Sequence, residues 1–197
     1  MIVSPRLRCV FVHIQKTGGA SIEALLLAND PTVASGMQDG RRHVFARDIR
    51  AGMDERQWQA SFKFAFVRNP WDRLVSWYHM CMQTATPNRF SLYVRTHAPS
   101  FEGFVRHATT GMGERTTWNQ LDFVTDRAGA MLVDFVGRYE ALSRDMAHVR
   151  ERLGLEHDLP HVNRSSHDDY RRYYDDALRD VVAERFRRDI EAFGYAF

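Results

Sequence analysis

Residues 7–27, LRCVFVHIQKTGGASIEALLL, contain the pattern that decides the fold of this chain. Their first part, residues 10–14, is a short apolar run rich in β-branched side chains, which predicts a strand. A turn with two glycines follows, and Ile22, Leu25 and Leu26 then recur at the spacing of one helix face. A strand, a glycine turn and a helix in this order form a cradle for a phosphate-like anion. The reason is that amides at a helix N-terminus point at the ligand and the helix dipole favours negative charge.

The turn carries two glycines and one unusual lysine. Gly18 and Gly19 have no Cβ, so the backbone there is able to approach a ligand closely. Of the 27 basic side chains, only Lys16 and Lys63 are lysines, and the others are arginines. Lysine supplies a compact, flexible point charge that follows a single oxygen, whereas arginine presents a planar fork. An ordinary tight turn is the alternative interpretation of this stretch alone.

A second strand–turn–helix block lies at residues 62–83, FKFAFVRNPWDRLVSWYHMCMQ. Its apolar beginning is typical of a central strand that is covered on both faces. Asn69 is a good N-cap and Pro70 suits the first helical position, so a helix is expected to begin there. Arg68 at the strand end and Ser76 two turns into the helix are then placed to converge on one anion. The alternatives are a structural ion pair for Arg68 and a packing or solvent-facing role for Ser76.

The remaining chain predicts further strands and helices in alternation. Residues 121–124 and 131–136 are strand-like, and the apolar spacing of residues 142–153 and 178–193 predicts helices. Residues 84–120 carry few clear signals. Strands that alternate with helices and are mostly apolar predict an α/β domain around a mainly parallel sheet.

Length, composition and charge exclude several classes of protein. A chain of 197 residues predicts a single domain over residues 1–197 with a substantial core. The net charge of +2 argues against a general nucleic-acid binder, which would show a stronger basic excess. No apolar run approaches the roughly 18 residues that a membrane span needs, and the first residues lack the pattern of a signal peptide. We therefore expect a cytoplasmic protein that has no membrane span and binds no nucleic acid.

Cysteine and histidine positions argue against disulfide and metal chemistry. The two cysteines, Cys9 and Cys81, lie in a predicted strand and a predicted helix and form no disulfide framework. Both are expected to be buried as small apolar side chains. The nine histidines are scattered without the spacing of a ligand set, so no metal is predicted.

The two blocks together resemble the sulfotransferases that use 3′-phosphoadenosine-5′-phosphosulfate. The likeness is to the branch that includes the heparan 2-O-sulfotransferases and many small bacterial relatives, and it runs from about residue 8 to residue 197. The resemblance implies a three-layer fold like that of P-loop NTPases, with a central, mainly parallel sheet flanked by helices. It also implies 3′-phosphoadenosine-5′-phosphosulfate (PAPS) as donor, adenosine 3′,5′-bisphosphate (PAP) as product and no metal.

The resemblance assigns residues to the two ends of the donor. The 5′-phosphosulfate is assigned to the first cradle, whose residues are Lys16, Thr17, Gly18, Gly19, Ala20 and Ser21. Arg68 and Ser76 of the second block are assigned to the 3′-phosphate. Asn163 and Ser165 stand in the kind of loop that the family has near its C-terminus, and they are expected to bind the donor as well.

The resemblance also implies a reaction in which Lys16 and His43 are the catalytic residues. An acceptor hydroxyl attacks sulfur in line while the bond to the 5′-phosphate oxygen breaks, so negative charge grows on that oxygen. Lys16 and the cradle amides are expected to stabilise this charge. The acceptor proton needs a base, and His43 lies between the two blocks, where this branch has its catalytic base. A packing or surface role is the alternative for His43.

Other residues are weaker candidates for a role near the site. His13 lies in the first predicted strand and is expected to be structural, whereas His161 and His167 are possible bases near the C-terminal loop. Glu140 follows a predicted strand and is expected either to orient a base or acceptor or to form an ion pair with an arginine. The role of Gln120 is left open.

The partner is expected to be a hydroxylated acceptor, and family membership favours a carbohydrate. A lipid, a peptide or a small metabolite remains an alternative acceptor. No feature of the sequence predicts the oligomeric state.

Two other functions are compatible with parts of the pattern. A P-loop kinase or NTPase needs a Gly-Lys-Ser/Thr sequence at the end of its loop, and this chain contains none. A non-catalytic module that binds a nucleotide or a glycan would keep Arg68 and Ser76 but would need neither Lys16 nor His43.

Ligand titration separates the kinase hypothesis from the sulfotransferase hypothesis. We expect PAP to bind in a saturable manner and ATP with Mg²⁺ to bind weakly or not at all, because the lysine of the first cradle precedes the glycines and the chain has no Gly-Lys-Ser/Thr sequence to place a hydroxyl on Mg²⁺. Isothermal titration calorimetry of the two ligands against the same protein measures this difference. Tight binding of ATP without binding of PAP would contradict the sulfotransferase hypothesis.

Overall fold

The computed structural model describes four ranges of the chain, which are residues 1–33, 42–108, 119–160 and 168–197. The chain divides into two compact units, which are described separately below. The first unit comprises Met1–Arg68 and Gln120–Arg164, and the second comprises Asn69–Asn119 and Ser165–Phe197. The sequence-based expectation of a single domain stays a prediction.

A four-stranded sheet forms the centre of the first unit. Its strands are β1 (Ile2–Ser4), β2 (Cys9–Val12), β3 (Phe62–Val67) and β4 (Phe135–Arg138). Their order in the sheet is β1-β2-β3-β4, with β1 antiparallel to β2 and the other two pairings parallel. The predicted α/β class with a mainly parallel sheet is therefore confirmed.

Helices make up most of the remaining described residues. In chain order they are α1 (Gly19–Asn29), α2 (Ala46–Ala51), α3 (Glu55–Ala60), α4 (Pro70–Gln83), α5 (Arg89–His97), α6 (Phe101–Gly103), α7 (Gln120–Val124), α8 (Leu142–Leu153), α9 (Asp176–Arg185) and α10 (Arg187–Phe193). A π-helical turn (Phe104–Ala108) continues α6, and 3₁₀ turns lie at Tyr139–Ala141 and Tyr170–Tyr173. Within the described ranges, no helix has both the length and the apolar character needed to cross a membrane.

Each unit has its own hydrophobic core. In the first unit, Phe11, Phe64 and Phe66 of the sheet pack with Leu25 and Leu26 of α1, and all five are fully buried. In the second unit, the core contains aromatic and aliphatic side chains of α4, α9 and their neighbours, among them Trp71, Leu74, Trp77, Phe104, Leu178, Val182 and Phe186. Cys9 and Cys81 are fully buried, as expected for small apolar residues.

Three elements differ from the sequence-based expectation. Residues 121–124 belong to helix α7 rather than to a strand, because an apolar run of four residues fits either period. The strand predicted at residues 131–136 is shifted to β4, since Met131 and Leu132 instead pair with Thr125 and Val124. The long C-terminal helix is interrupted at Phe186, whose backbone angles (φ −108°, ψ 23°) leave the helical region.

The pairing of β3 with β4 depends on a glycine. Phe66 lies directly opposite Gly137 in the parallel ladder. A Cβ on Gly137 would lie 2.4 Å from Cε1 of the Phe66 ring, so the ring occupies the space that a side chain would need. An aromatic ring that covers a cross-strand glycine is a recurrent way to hold strand register. This register places the end of β4, and the residues that follow it, beside the end of β3.

We expect Gly137→Ala to lower the free energy of unfolding by about 1–3 kcal/mol, because the added methyl group overpacks the ring of Phe66. Urea unfolding at neutral pH measures this change. In a Phe66→Leu background the same substitution should cost less, since the smaller side chain leaves room. Equal losses in both backgrounds would contradict the steric explanation.

Candidate active site

The turn between β2 and α1 has the geometry of an anion cradle. Lys16 and Gly18 both adopt left-handed backbone angles, with φ of 66° and 82°. Thr17 is buried, and its hydroxyl donates a hydrogen bond of 3.0 Å to the carbonyl oxygen of Ile14, which holds the turn against the strand end. No side chain caps α1, because its N-cap is Gly18, and its first turn contains no acidic residue. The first amides of the helix therefore face a site suited to a bound anion.

The two positions of the turn require glycine for different structural reasons. Gly18 is needed for its left-handed conformation, which other residues adopt only with strain. Gly19 is needed for space, since a Cβ there would lie 2.0 Å from Nε2 of His13. The sequence predicted that the missing Cβ at Gly19 lets the backbone approach a ligand. In the structure, the Gly19 backbone instead lies close to the imidazole of His13.

Arg68 lies beside the cradle within the first unit. Its Nη1 donates a hydrogen bond of 3.2 Å to the carbonyl oxygen of Lys16, and its guanidinium lies 4.1 Å from the centre of the Tyr139 ring. The same ring contacts Gly18, because a Cβ on that glycine would lie 3.3 Å from Cδ2 of Tyr139. Tyr139, which the sequence analysis did not identify, is therefore a common support for the cradle and for Arg68.

Gln120 holds the backbone of Arg68 at the end of β3. Its Oε1 accepts a hydrogen bond of 2.9 Å from the amide of Arg68, and its Nε2 donates one of 2.8 Å to the carbonyl oxygen of Arg68. Gln120 is fully buried, so both bonds are shielded from water. The side-chain amide thus takes the place of a neighbouring strand and satisfies both polar groups of the Arg68 backbone.

The structure holds His43 in one neutral form. Its Nδ1 lies 2.9 Å from the main-chain oxygen of His13. A carbonyl oxygen only accepts hydrogen bonds, so we assign the proton to Nδ1, which leaves the lone pair on Nε2. Burial lowers the pKa of His43 to about 3; the positive charges of the Met1 amino group and Arg42 add to this effect, and the hydrogen bond to the main-chain oxygen of His13 opposes it. The imidazole is therefore neutral across the physiological range.

Glu23 lies at the centre of a buried polar cluster that the sequence analysis missed. Its Oε1 accepts a hydrogen bond of 2.8 Å from Nδ1 of His13 and lies 3.7 Å from the amino group of Met1. Its Oε2 accepts from Nε of Arg42 at 2.9 Å and also contacts Nη2 of that arginine. Burial alone raises the pKa of Glu23, but the hydrogen bonds from His13 and Arg42 outweigh this effect and lower the pKa to about 2. Burial lowers the pKa of His13.

One signal in the sequence pointed to Glu23. Helix α1 contains a single charged side chain among residues that are apolar or small, and that side chain is Glu23. A lone carboxylate on a buried helix needs partners, because an unpaired buried charge is costly. The partner residues are distant along the chain, so the sequence alone did not identify them.

The structure brings some of the predicted site residues together. Lys16, the remaining cradle residues, His43 and Arg68 all belong to the first unit. Ser21 is buried, and its amide donates a hydrogen bond of 3.1 Å to the carbonyl oxygen of Gly18. Two donor-binding candidates, Asn163 and Ser165, and the two weaker histidine candidates, His161 and His167, lie outside the described residues.

Ser76, which was predicted to bind the 3′-phosphate, lies in the second unit. It is buried on α4, one turn before His79. On the same helix, Nδ1 of His79 accepts a hydrogen bond of 3.2 Å from the side-chain Nε2 of Gln83, and its Nε2 then donates to the hydroxyl of Tyr173 at 2.8 Å. Asn69 caps the helix as predicted, since its side chain accepts from the amide of Trp71 at 3.0 Å.

Two further expectations concern Glu140 and metal binding. Glu140 is exposed in the 3₁₀ turn after β4, and its proposed role in orienting a base or acceptor stays a prediction. Among residues 1–33, 42–108, 119–160 and 168–197, no group of three or more His, Cys, Asp or Glu side chains is arranged to hold a metal ion.

Comparison with known proteins identifies the family. The family profile described as "Sulfotransferase family" matches residues 1–196, so the chain belongs to this family. Its P-loop-like fold agrees with the strand–turn–helix geometry of the cradle. A protein of Archaeoglobus fulgidus, described as uncharacterized, is 29% identical over 129 residues, which are 63% of this chain and 94% of that protein. The expected placement within the heparan 2-O-sulfotransferase branch stays a prediction.

The neutral histidines His13 and His43 predict that stability falls as the pH is lowered from about 6.5 to 5. Below pH 6.5 the unfolded chain binds protons on His13 and His43 that the folded protein does not bind, because both pKa values are lowered in the fold. Each histidine should then lower the free energy of unfolding by up to about 1.4 kcal/mol per pH unit. Urea unfolding at several pH values in this range measures the slope.

His43→Gln should reduce this slope by the part that the protonation of His43 contributes. Glu23 does not contribute above about pH 5, since its carboxyl is ionised in both states there. His97→Gln, which removes an exposed histidine of the second unit, is the matched control and should keep the slope of the unaltered protein. Parallel stability curves for His43→Gln and the unaltered protein would contradict a buried neutral His43.

Proposed function

We propose that this protein is a sulfotransferase that moves the sulfuryl group of PAPS to an acceptor hydroxyl. The observation that carries the proposal is the assembly of Lys16, His43 and Arg68 around one turn in the first unit. The Lys16 carbonyl accepts a hydrogen bond from Arg68, and His43 bonds to the main chain of His13 just before that turn. A cation and a neutral imidazole at an anion cradle are the groups that sulfuryl transfer needs.

The cradle residues fit a phosphosulfate. The left-handed conformations of Lys16 and Gly18 and the absence of a side-chain cap on α1 expose helix amides to an anion. Arg68 adds a positive charge beside the backbone of Lys16. We assign the 5′ end of the donor to Lys16 and the turn of residues 17–21, and the 3′-phosphate to Arg68 and Ser76. Asn163 and Ser165 complete the proposed donor set.

When bound, PAPS supplies an electrophilic sulfur whose bond to the 5′-phosphate oxygen breaks as the acceptor oxygen bonds to it. Nε2 of His43 accepts the proton of the acceptor hydroxyl, while the proton on Nδ1 stays hydrogen-bonded to the carbonyl oxygen of His13. The ammonium of Lys16 and the first amides of α1 stabilise the charge that grows on the leaving oxygen. Arg68 holds the Lys16 backbone in its left-handed conformation during this step.

The acceptor we propose is a carbohydrate hydroxyl. Support comes from the resemblance of the two cradle motifs to the branch that contains the heparan 2-O-sulfotransferases. The location of the protein in the cytoplasm stays a prediction from the sequence.

Single substitutions test the two catalytic assignments. We expect Lys16→Ala to lower turnover by about 10²–10³-fold, which is the usual cost of losing one donor at a developing oxyanion. His43→Ala should lower turnover by about 10²–10⁴-fold through loss of the general base. Transfer of labelled sulfate from PAPS to a panel of hydroxylated acceptors, carbohydrates included, measures both effects and identifies the acceptor class.

The controls are substitutions of exposed residues of the same charge type. Arg50→Ala removes a cation that pairs with Glu55 on the surface of the first unit, and His97→Ala removes an exposed imidazole. Both controls should keep full turnover. Unchanged transfer in Lys16→Ala or His43→Ala would remove that residue from the mechanism, and binding of PAP without transfer to any acceptor would favour the non-catalytic module.

A further inference from the structure

The proposed mechanism assigns no role to the buried polar cluster around Glu23. Glu23 and His13 are each at least nine-tenths buried, and ionised carboxylates are rarely kept in such a place unless their partners compensate for the lost water. Apolar side chains of similar size would fill the same volume. The geometry of the cluster shows what the polar groups add.

His13 contacts both halves of the proposed machinery. Its main-chain oxygen accepts the hydrogen bond from Nδ1 of His43, and its ring lies edge-on to the ring of His43 with 4.6 Å between centres. On its other side, Nε2 of the same ring lies where a Cβ of Gly19 would be, at the first residue of α1. One imidazole therefore separates the base from the helix N-terminus that forms the cradle.

Glu23 determines which way this imidazole faces. A carboxylate only accepts hydrogen bonds, so the bond of 2.8 Å requires the His13 proton to lie on Nδ1. A half-turn of the ring would replace Nδ1 by a carbon and leave the buried carboxylate without this donor. Arg42 and the amino group of Met1 hold Glu23 in turn. The ring of His13 is thus fixed in one orientation by a fixed carboxylate.

We propose that Glu23 and His13 are positioning residues, which hold His43 as the Nδ1–H form at a set distance from the cradle. This inference rests on the proposed function, because it assigns His43 the role of base. Neither Glu23 nor His13 touches the substrates in this scheme. Their effect on the reaction passes through the orientation of the His43 ring.

The first test is a nitrogen-15 NMR spectrum of the histidines in the unaltered protein, which needs no substitution. Long-range nitrogen–proton couplings distinguish the two neutral forms of each ring. We expect His13 and His43 both to carry the proton on Nδ1. A spectrum in which His43 carries it on Nε2, or exchanges between the two nitrogens, would overturn the proposal.

The second test is Glu23→Gln, which keeps the shape of the side chain and removes its charge. We expect the His13 ring to lose its single orientation in this variant, because an amide has one acceptor oxygen for the two donors His13 and Arg42. The His43 ring, which packs edge-on against the His13 ring, should then shift, and its Nε2 signal with it. We expect kcat to fall by about 10–100-fold, the usual cost of losing the partner that orients a functional histidine, with the KM for PAPS unchanged within about twofold. A structural role alone would lower stability without moving the His43 signals.

Glu55→Gln is the matched control, since it removes a carboxylate from the surface of the same unit. It should leave both the His43 spectrum and kcat unchanged. A folded Glu23→Gln variant with unchanged His43 signals and normal kcat would overturn the proposal. If the unaltered protein transfers sulfate to no acceptor, the proposed function fails, whereas the NMR comparison still decides whether Glu23 and His13 position His43.

Discussion

The close approach of His13 to Gly19 is the contact on which the candidate site depends. Strand β2 ends just before His13 and helix α1 begins at Gly19, so this contact sets how closely the helix N-terminus approaches the strand end. Nε2 of His13 occupies the space of a Cβ, and only glycine leaves that space open. The main-chain oxygen of the same histidine also holds His43. The cradle and the proposed base are thereby built on one residue.

A second constraint acts on the opposite side of the cradle. Arg68 reaches the carbonyl oxygen of Lys16, and its own backbone is held by the amide of Gln120. Tyr139 supports Arg68 and also packs against Gly18. Charge is balanced within the first unit as well, because Glu23 is matched by Arg42 and His13 rather than directed at the lysine. These contacts preorganise the positive groups, which is the basis of electrostatic stabilisation in enzymes.

Local patterns in the sequence determined the elements that carry the site. Strand β3, helix α4 with its Asn69 cap and helix α8 lie where periodicity and capping residues predicted them. The mainly parallel α/β sheet followed from the alternation of these elements. Lys16, Gly18 and Arg68 were identified because a glycine turn after a strand and an arginine at a strand end have direct chemical meanings. Such signals lie within a few neighbouring residues, so they can be recognised without knowledge of the fold.

Contacts between distant residues were decided only by the tertiary structure. The apolar run of α7 is too short to reveal its period, and its helical form places Gln120 beside Arg68, 52 positions away along the chain. The role of Glu23 depends on two residues that are distant along the chain, His13 before it and Arg42 after it, because both donate hydrogen bonds to its carboxylate. The low pKa of His43 follows from burial, which no local pattern encodes. The sequence by itself determined a strand, a glycine turn with a lysine and a helix in that order. Only the fold decided which side chains surround this turn, because burial and long-range hydrogen bonds arise when separate segments pack together.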